Sequence, residues 1–134
     1  MGKVTVLVVD DDAPVIQAFK LCFEHLVDIH ATYDGQSALD LIESGIRPDV
    51  LVCDYRLPDI NGVDVVQRAR QIMGEDVPAI IASGDTSAQT IKEAALAHCE
   101  MLKKPYTPDA LVQLVAQINL DRVQRIAEKT KRGS

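Results

Sequence analysis

"LVVDDDAPV", Leu7 to Val15, runs from an apolar segment through three consecutive carboxylates to a proline. An apolar run that stops abruptly in charge reads as a buried strand reaching its end. Pro14 then suits the first turn of a helix, where its fixed φ fits and its missing N–H would have no partner anyway. Strand, acidic turn and helix together open a β-α unit. Neighbouring carboxylates make one another harder to ionise, so three in a row call for a cation, a helix end or solvent. The rest of the chain decides among these.

Outward from this stretch the apolar period keeps switching. Val4 to Val9, Asp28 to Thr32, Asp49 to Cys53, Ala79 to Ala82 and Met101 to Leu102 are short strand-like runs, most too continuous to be half-exposed. Helical spacing fills the gaps. The Pro14 helix has an apolar face of Ile16, Phe19, Phe23 and Leu26, and Asp34 caps Gln36 to Ser44, with Gly45 as the stop. A third helix runs from about Val63 to Met73 and closes near Gly74. The fourth starts near Thr86 and covers Ile91, Ala94, Ala95 and Leu96, and Thr107-Pro108-Asp109 opens the fifth. Five strands alternating with five helices predict an α/β, doubly wound five-stranded parallel sheet. In such sheets ligands sit beyond the carboxyl ends of the strands. Asp10, Asp54, Ser83 and Lys104 all fall at or just beyond those ends.

With 134 residues, 47% of them hydrophobic, the chain suits one domain and has no room for a second. A formal charge of −6 argues against direct nucleic-acid or anionic-membrane binding by the body of the protein. No signal peptide or spanning run is visible, so a soluble cytoplasmic protein is expected. Cys22, Cys53 and Cys99 lack metal spacing and read as reduced, mostly buried packing residues; His25, His30 and His98 read as surface or half-buried.

"VLVVDDD", "VLVCDYRLPDINGVDVV", "AIIASGD" and "LKKPYTPDAL" resemble the motifs of the receiver domain of two-component response regulators, over about Val4 to Ile118. The resemblance implies a flavodoxin-like (βα)5 fold with strand order 2-1-3-4-5. It also implies that Asp54 is the phosphoacceptor, Asp10 and Asp11 the acidic pair, Ser83 the switch hydroxyl and Lys104 the paired cation. Lys104-Pro105 resembles the family's cis peptide. Asp12 falls outside the pair and reads as the cap of the Pro14 helix. The resemblance makes the domain a signalling phosphoacceptor rather than an enzyme acting on a separate substrate. Its phosphoryl donor would be a phosphohistidine on a sensor histidine kinase or phosphotransfer protein.

The residue chemistry agrees. A carboxylate can attack phosphorus and carry an acyl phosphate. Acids crowded at one rim suit Mg2+, which prefers hard oxygen ligands. Asp11 and Asp54 are the expected direct ligands and Asp10 acts through a water; the Arg56 backbone carbonyl is added by the resemblance. Pro58 and Gly62 shape the loop after Asp54, Gly62 through positive φ or close backbone approach. Two rivals have weaker support. A haloacid-dehalogenase-type phosphatase would use Asp10 as nucleophile with Asp12 as second acid, but leaves Asp54, Pro58 and Gly62 without a role. A flavodoxin-like mononucleotide binder would need donors where the chain has acids.

Three features go beyond the general motif. Met101 stands where the family usually has an aromatic, so switching is expected in the Ser83 to Thr86 loop rather than in an aromatic flip. Arg56 and Asp85 are expected to face each other across the site's mouth and to obstruct water. The fifth helix's spacing continues through Leu120, Val123, Ile126 and Ala127, past the 1–120 receiver unit into a 121–134 helical extension with a basic tail. That extension either folds back or leads to a dimer or output partner, and a homodimer through the fourth and fifth helices is one such assembly. The terminal "RGS" has the look of an expression scar.

Overall fold

A computed structural model describes residues 3–133, apart from the side chains of Ile126 and of residues 129–133. The chain alternates strictly: β1 Val4–Val9, α1 Ala13–Phe23, β2 Val27–Thr32, α2 Gly35–Glu43, β3 Val50–Asp54, α3 Gly62–Met73, β4 Ala79–Ser83, α4 Ala88–Leu96, β5 Glu100–Lys103 and α5 Pro108–Gly133. All strands are parallel, in the order β2-β1-β3-β4-β5. This is the expected doubly wound fold.

Alternation along the central strands sorts their side chains onto two faces. Leu7, Val9, Leu51, Cys53 and Ile81 pack against Ala38, Leu39 and Ile42 of α2, Val65, Val66 and Ala69 of α3, and Ala94 of α4. Val6, Val8, Val50, Val52 and Ile80 pack on the other side against Ile16 and Phe19 of α1 and Leu111, Val115 and Ile118 of α5. The strands read as unbroken apolar runs because both faces are covered.

Helix starts follow local chemistry. Asp34 accepts from Ser37 N at 2.7 Å, Asn61 from Val63 N at 2.7 Å, and Thr107 Oγ1 from Ala110 N at 3.2 Å. Gly74 closes α3 in the left-handed region at φ 69°.

Several expectations need correction. Asp12 occupies the N-cap position of α1, but its carboxylate makes no capping bond. Its backbone N donates instead to Asp10 Oδ1 at 2.9 Å, and its carbonyl accepts from Val15 and Ile16. α1 stops at Phe23, which leaves Leu26 in a turn and 55% exposed. α4 starts at Ala88 with Ser87 as its cap, later than Thr86. It buries Thr90 and Ala94, while Ile91, Ala95 and Leu96 face outward. Cys53 is buried and Cys99 half-buried, but Cys22 is exposed on α1, and all three are free thiols. His25 and His98 are exposed and His30 is half-buried, as expected.

α5 is one continuous helix well past Leu120 and does not fold back. Arg122 ties it to the body through the Asp49 carbonyl at 3.2 Å and Glu75 Oε1 at 3.3 Å. The first residues of the 121–134 extension are therefore still in contact with the body. The side chains of Ile126, Lys129, Lys131 and Arg132, and Ser134 altogether, lie outside the described residues, as does the suggestion of an expression scar. Among the described residues no helix is long and apolar enough to cross a membrane.

Candidate functional site: an acidic rim at the ends of four strands

Register delivers the site. Val9 pairs with Cys53, Asp54 with Ala82 and Ser83 with Lys103, so β1, β3, β4 and β5 end level with one another. The ladder continues one residue further, with Asp10 N donating to Thr32 O, Tyr55 N to Ala82 O and Lys104 N to Ser83 O. These bonds fix the backbone under each polar side chain at the rim.

Lys104 Nζ lies 2.9 Å from Asp10 Oδ2 and 3.0 Å from Asp54 Oδ2. Asp10 is 2% exposed and its other oxygen accepts from Asp12 N. Asp11 is exposed, and one oxygen from each of Asp10, Asp11 and Asp54 falls within 4.8 Å of the others. Two of the three carboxylates, those of Asp10 and Asp54, thus share the Lys104 ammonium, with that of Asp11 beside them. Burial pushes the Asp54 carboxyl above its usual range; the Asp10 charge adds to this, against the pull of Lys104 and the Arg56 N–H. For Lys104, burial disfavours the charge, but hydrogen bonds and attraction from Asp10 and Asp54 win and raise its pKa. An excess of hard oxygen donors over cations is what a divalent metal such as Mg2+ fits. The Lys104–Pro105 peptide is cis.

Ser83 is 2% exposed, and its hydroxyl accepts from Asp85 N at 2.9 Å and donates to Asp85 O at 3.2 Å. Asp54, Arg56, Ser83, Gly84 and Asp85 line one cleft. Arg56 and Asp85 do meet at its mouth, at 3.4 Å. Asp85 is also held by Ser87 N at 2.8 Å and Thr90 Oγ1 at 3.1 Å, which with Arg56 lower its pKa. Gly62 acts through close approach rather than positive φ: a Cβ there would stand 2.2 Å from the Asp54 carbonyl oxygen.

The structure adds residues that the sequence reading passed over. Asp59 accepts from Gly35 N at 2.9 Å and Gln36 N at 2.8 Å, which docks the loop after β3 onto the start of α2. Tyr55 donates to Glu93 Oε2 at 2.8 Å and links the residue beside Asp54 to α4. Tyr106 stands near the rim, its hydroxyl pushed up to about 12 by burial and by the charge of Asp10. Pairings 24 and 38 positions apart leave no local sequence signal.

Two placements disfavour Asp10 as a nucleophile. It is buried, and both its oxygens are already engaged, one by Lys104 and one by Asp12 N.

Comparison with known proteins agrees with this geometry. Residues 6–116 match the response regulator receiver domain, and the chain belongs to that family of two-component signalling domains. Response regulator MprA of Mycobacterium tuberculosis is 31% identical over 132 residues, which are 96% of this chain and 53% of the relative. Response regulator SaeR of Staphylococcus epidermidis is 31% identical over 108 residues, 79% of this chain and 46% of the relative. The chain therefore spans about half the length of these curated relatives. The receiver domain of Francisella response regulator 1452 superposes with a TM-score of 0.79 at 30% identity, covering 90% of this chain and 99% of that one. The signal receiver domain of a Luxo repressor protein from Vibrio parahaemolyticus gives 0.82 at 25% identity, covering 95% and 98%.

Proposed function

We propose that Asp54 accepts a phosphoryl group from a phosphohistidine of a sensor histidine kinase or phosphotransfer protein, in a Mg2+-dependent reaction, and that the acyl phosphate changes the domain's conformation. The observation that carries this reading is Lys104 held between Asp10 and Asp54, with the Asp11 carboxylate beside them. An Asp54 carboxylate oxygen forms a bond to phosphorus as the P–N bond breaks, and the electron pair leaves with the imidazole. Asp11, Asp54 and the Arg56 carbonyl would hold the metal directly, and Asp10 would hold one of its waters. When bound, the metal supplies charge neutralisation at the phosphoryl oxygens. Lys104 supplies the same from the other side, so little proton transfer is needed.

Ser83 carries the switch. To donate to a phosphoryl oxygen its hydroxyl must release the Asp85 carbonyl, which moves the loop that caps α4. Met101 has neither ring nor hydroxyl, so the response is read in residues 83–86. The receiver unit is 1–120, with 121–134 its extension.

The test is incubation with a small phosphodonor and Mg2+, followed by intact-mass and peptide mass spectrometry. One phosphoryl group at Asp54, absent in Asp54→Asn, is the expected result. In Asp11→Ala, metal affinity should fall at least about tenfold, given that losing even an outer partner of a metal ligand costs about 10–100-fold. An adduct on Asp10 would overturn the assignment in favour of the phosphatase-type reading.

A further inference from the structure

α4 buries the least apolar side-chain bulk of the five helices. It buries Thr90 and Ala94, where α1 buries Ile16 and Phe19 and α5 buries Leu111, Val115 and Ile118. Burial stabilises in proportion to the apolar area removed from water, so polar bonds carry more of the placement of α4 than of the others. Two such bonds lead back to the acidic rim. One runs through the loop after β4, where Asp85 Oδ2 accepts from Thr90 Oγ1 at 3.1 Å. The other comes from β3. Tyr55, next to Asp54, donates its hydroxyl to Glu93 Oε2 at 2.8 Å, and Glu93 Oε1 accepts from Gln89 Nε2 at 3.4 Å. Tyr55 is itself pinned, its N donating to Ala82 O at 2.8 Å and its carbonyl accepting from Gly62 N at 3.0 Å.

With Asp54 as the phosphoacceptor, a reading on which this rests, we propose that the Tyr55–Glu93 bond is a latch. It holds α4 where the unphosphorylated site needs it, and Tyr55 is a positioning residue that biases the domain against the switched state. The two ties to α4 respond differently when Ser83 moves. To donate to a phosphoryl oxygen, Ser83 releases the Asp85 carbonyl, and Asp85 takes the first turn of α4 with it through Ser87 N and Thr90 Oγ1. Tyr55 does not follow, because its backbone belongs to the end of the β3–β4 ladder and to the start of α3. Glu93 lies one turn beyond Thr90 on the same helix, so a shift of the first turn pulls on the bond to Tyr55. A bond to a charged acceptor that one state makes and the other loses stabilises only the first. Removing it moves the population toward the switched state, and whatever binds that state gains affinity. Met101, on β5 in the same apolar cluster as Tyr55, has no hydroxyl with which to make a second latch of this kind.

Two measurements on the full chain test it: backbone hydrogen exchange without any phosphodonor, and 19F NMR titration with beryllofluoride and Mg2+, a stable mimic of the acyl phosphate. In Tyr55→Phe the amides of residues 91–96 should exchange faster while those of α1 keep their rates. The half-saturating beryllofluoride concentration should fall at least about threefold, within the range by which residues between coupled sites alter coupling. Mere damage to the fold would raise it instead. Glu93→Ala should match Tyr55→Phe, the double variant should go no further than either, and Glu93→Gln, which keeps an acceptor for the hydroxyl, should stay near wild type. Beryllofluoride binding that is unchanged or weaker in Tyr55→Phe, or α4 exchange equal to wild type, would overturn the latch and leave Asp54 as phosphoacceptor. A wild type that takes neither beryllofluoride nor a phosphoryl group at Asp54 would overturn the reading of the site, and the bias against switching with it, even where Tyr55→Phe loosens α4.

Discussion

Two groups of aspartates lie on the same side of the molecule and live under opposite conditions. At the acidic rim Asp10, Asp11 and Asp54 crowd together, the Lys104 ammonium pairs with only Asp10 and Asp54, and Asp54 is pushed toward protonation. At the start of α2, Asp34 and Asp59 accept from the backbone N–H groups of Ser37, Gly35 and Gln36. Burial disfavours ionisation at Asp59 too, but those bonds and the one from Ile60 N outweigh it and hold its carboxyl below 3.8. Orphan helix donors welcome negative charge. The second group therefore holds the fold together, while the first is kept in place by the fold at some cost. That contrast separates architecture from chemistry without reference to either group's neighbours in sequence.

Removing the shared cation should break the comparison most severely. Lys104→Met leaves Asp10 buried and charged, and loss of one partner of a buried pair costs about 3 kcal/mol. Urea denaturation should show this, with much of the loss recovered in Lys104→Met/Asp10→Asn.

The helix-capping group predicts a smaller effect with a defined pH dependence. Asp59→Ala should cost about 1 kcal/mol, the scale of a lost helix cap. A depressed pKa stabilises above the unfolded value and loses that contribution as pH falls through the folded one. The gap between wild type and variant should thus be full above pH 3.8 and close as the pH drops below it. A gap that persists in acid would mean that Asp59 acts by packing alone.

Asp54 should show the reverse sign. Its raised pKa means that the fold binds the proton more tightly than the unfolded chain does. Metal-free stability should rise as pH falls through that raised value toward 3.8, and Asp54→Asn should lack the rise while being slightly more stable at neutral pH. Chemical denaturation in a chelator, repeated with Mg2+, checks this: the metal should favour the wild type and reverse the order.

The smallest stability effect belongs to Arg56→Ala, whose side chain is 78% exposed. An exposed ion pair contributes about 0–1 kcal/mol, so melting should barely change. Loss of label from the phosphorylated protein should quicken if Arg56 and Asp85 obstruct the attacking water, and decay unchanged from wild type in both Arg56→Ala and Asp85→Ala would dismiss that role.

The strands were legible because burial on both faces leaves uninterrupted apolar runs, and the rim followed from where those runs end. Helix faces were less so: spacing groups Ile91, Ala94, Ala95 and Leu96 together, but only contact with the sheet decides that Ala94 goes in and Leu96 stays out. Asp12 misled because any aspartate ahead of a first-turn proline looks like a cap, whereas here its carboxylate makes no capping bond and its own backbone N donates to Asp10. Asp59, Tyr55 and Tyr106 were invisible for a different reason. Their roles exist only once the β3–α3 loop meets α2, once β3 meets α4, and once the segment after β5 lies over Asp10.

Gly62 has one more consequence, for how this protein tolerates change. Its backbone N donates to the Tyr55 carbonyl at 3.0 Å, and the space where a methyl would stand holds the Asp54 carbonyl. Every one of the nineteen alternatives adds at least that methyl, and all of them drive the backbone of Asp54 itself out of register. In a saturation library selected for signalling, Gly62 should therefore be as intolerant as Asp54 itself, although it touches no reacting atom.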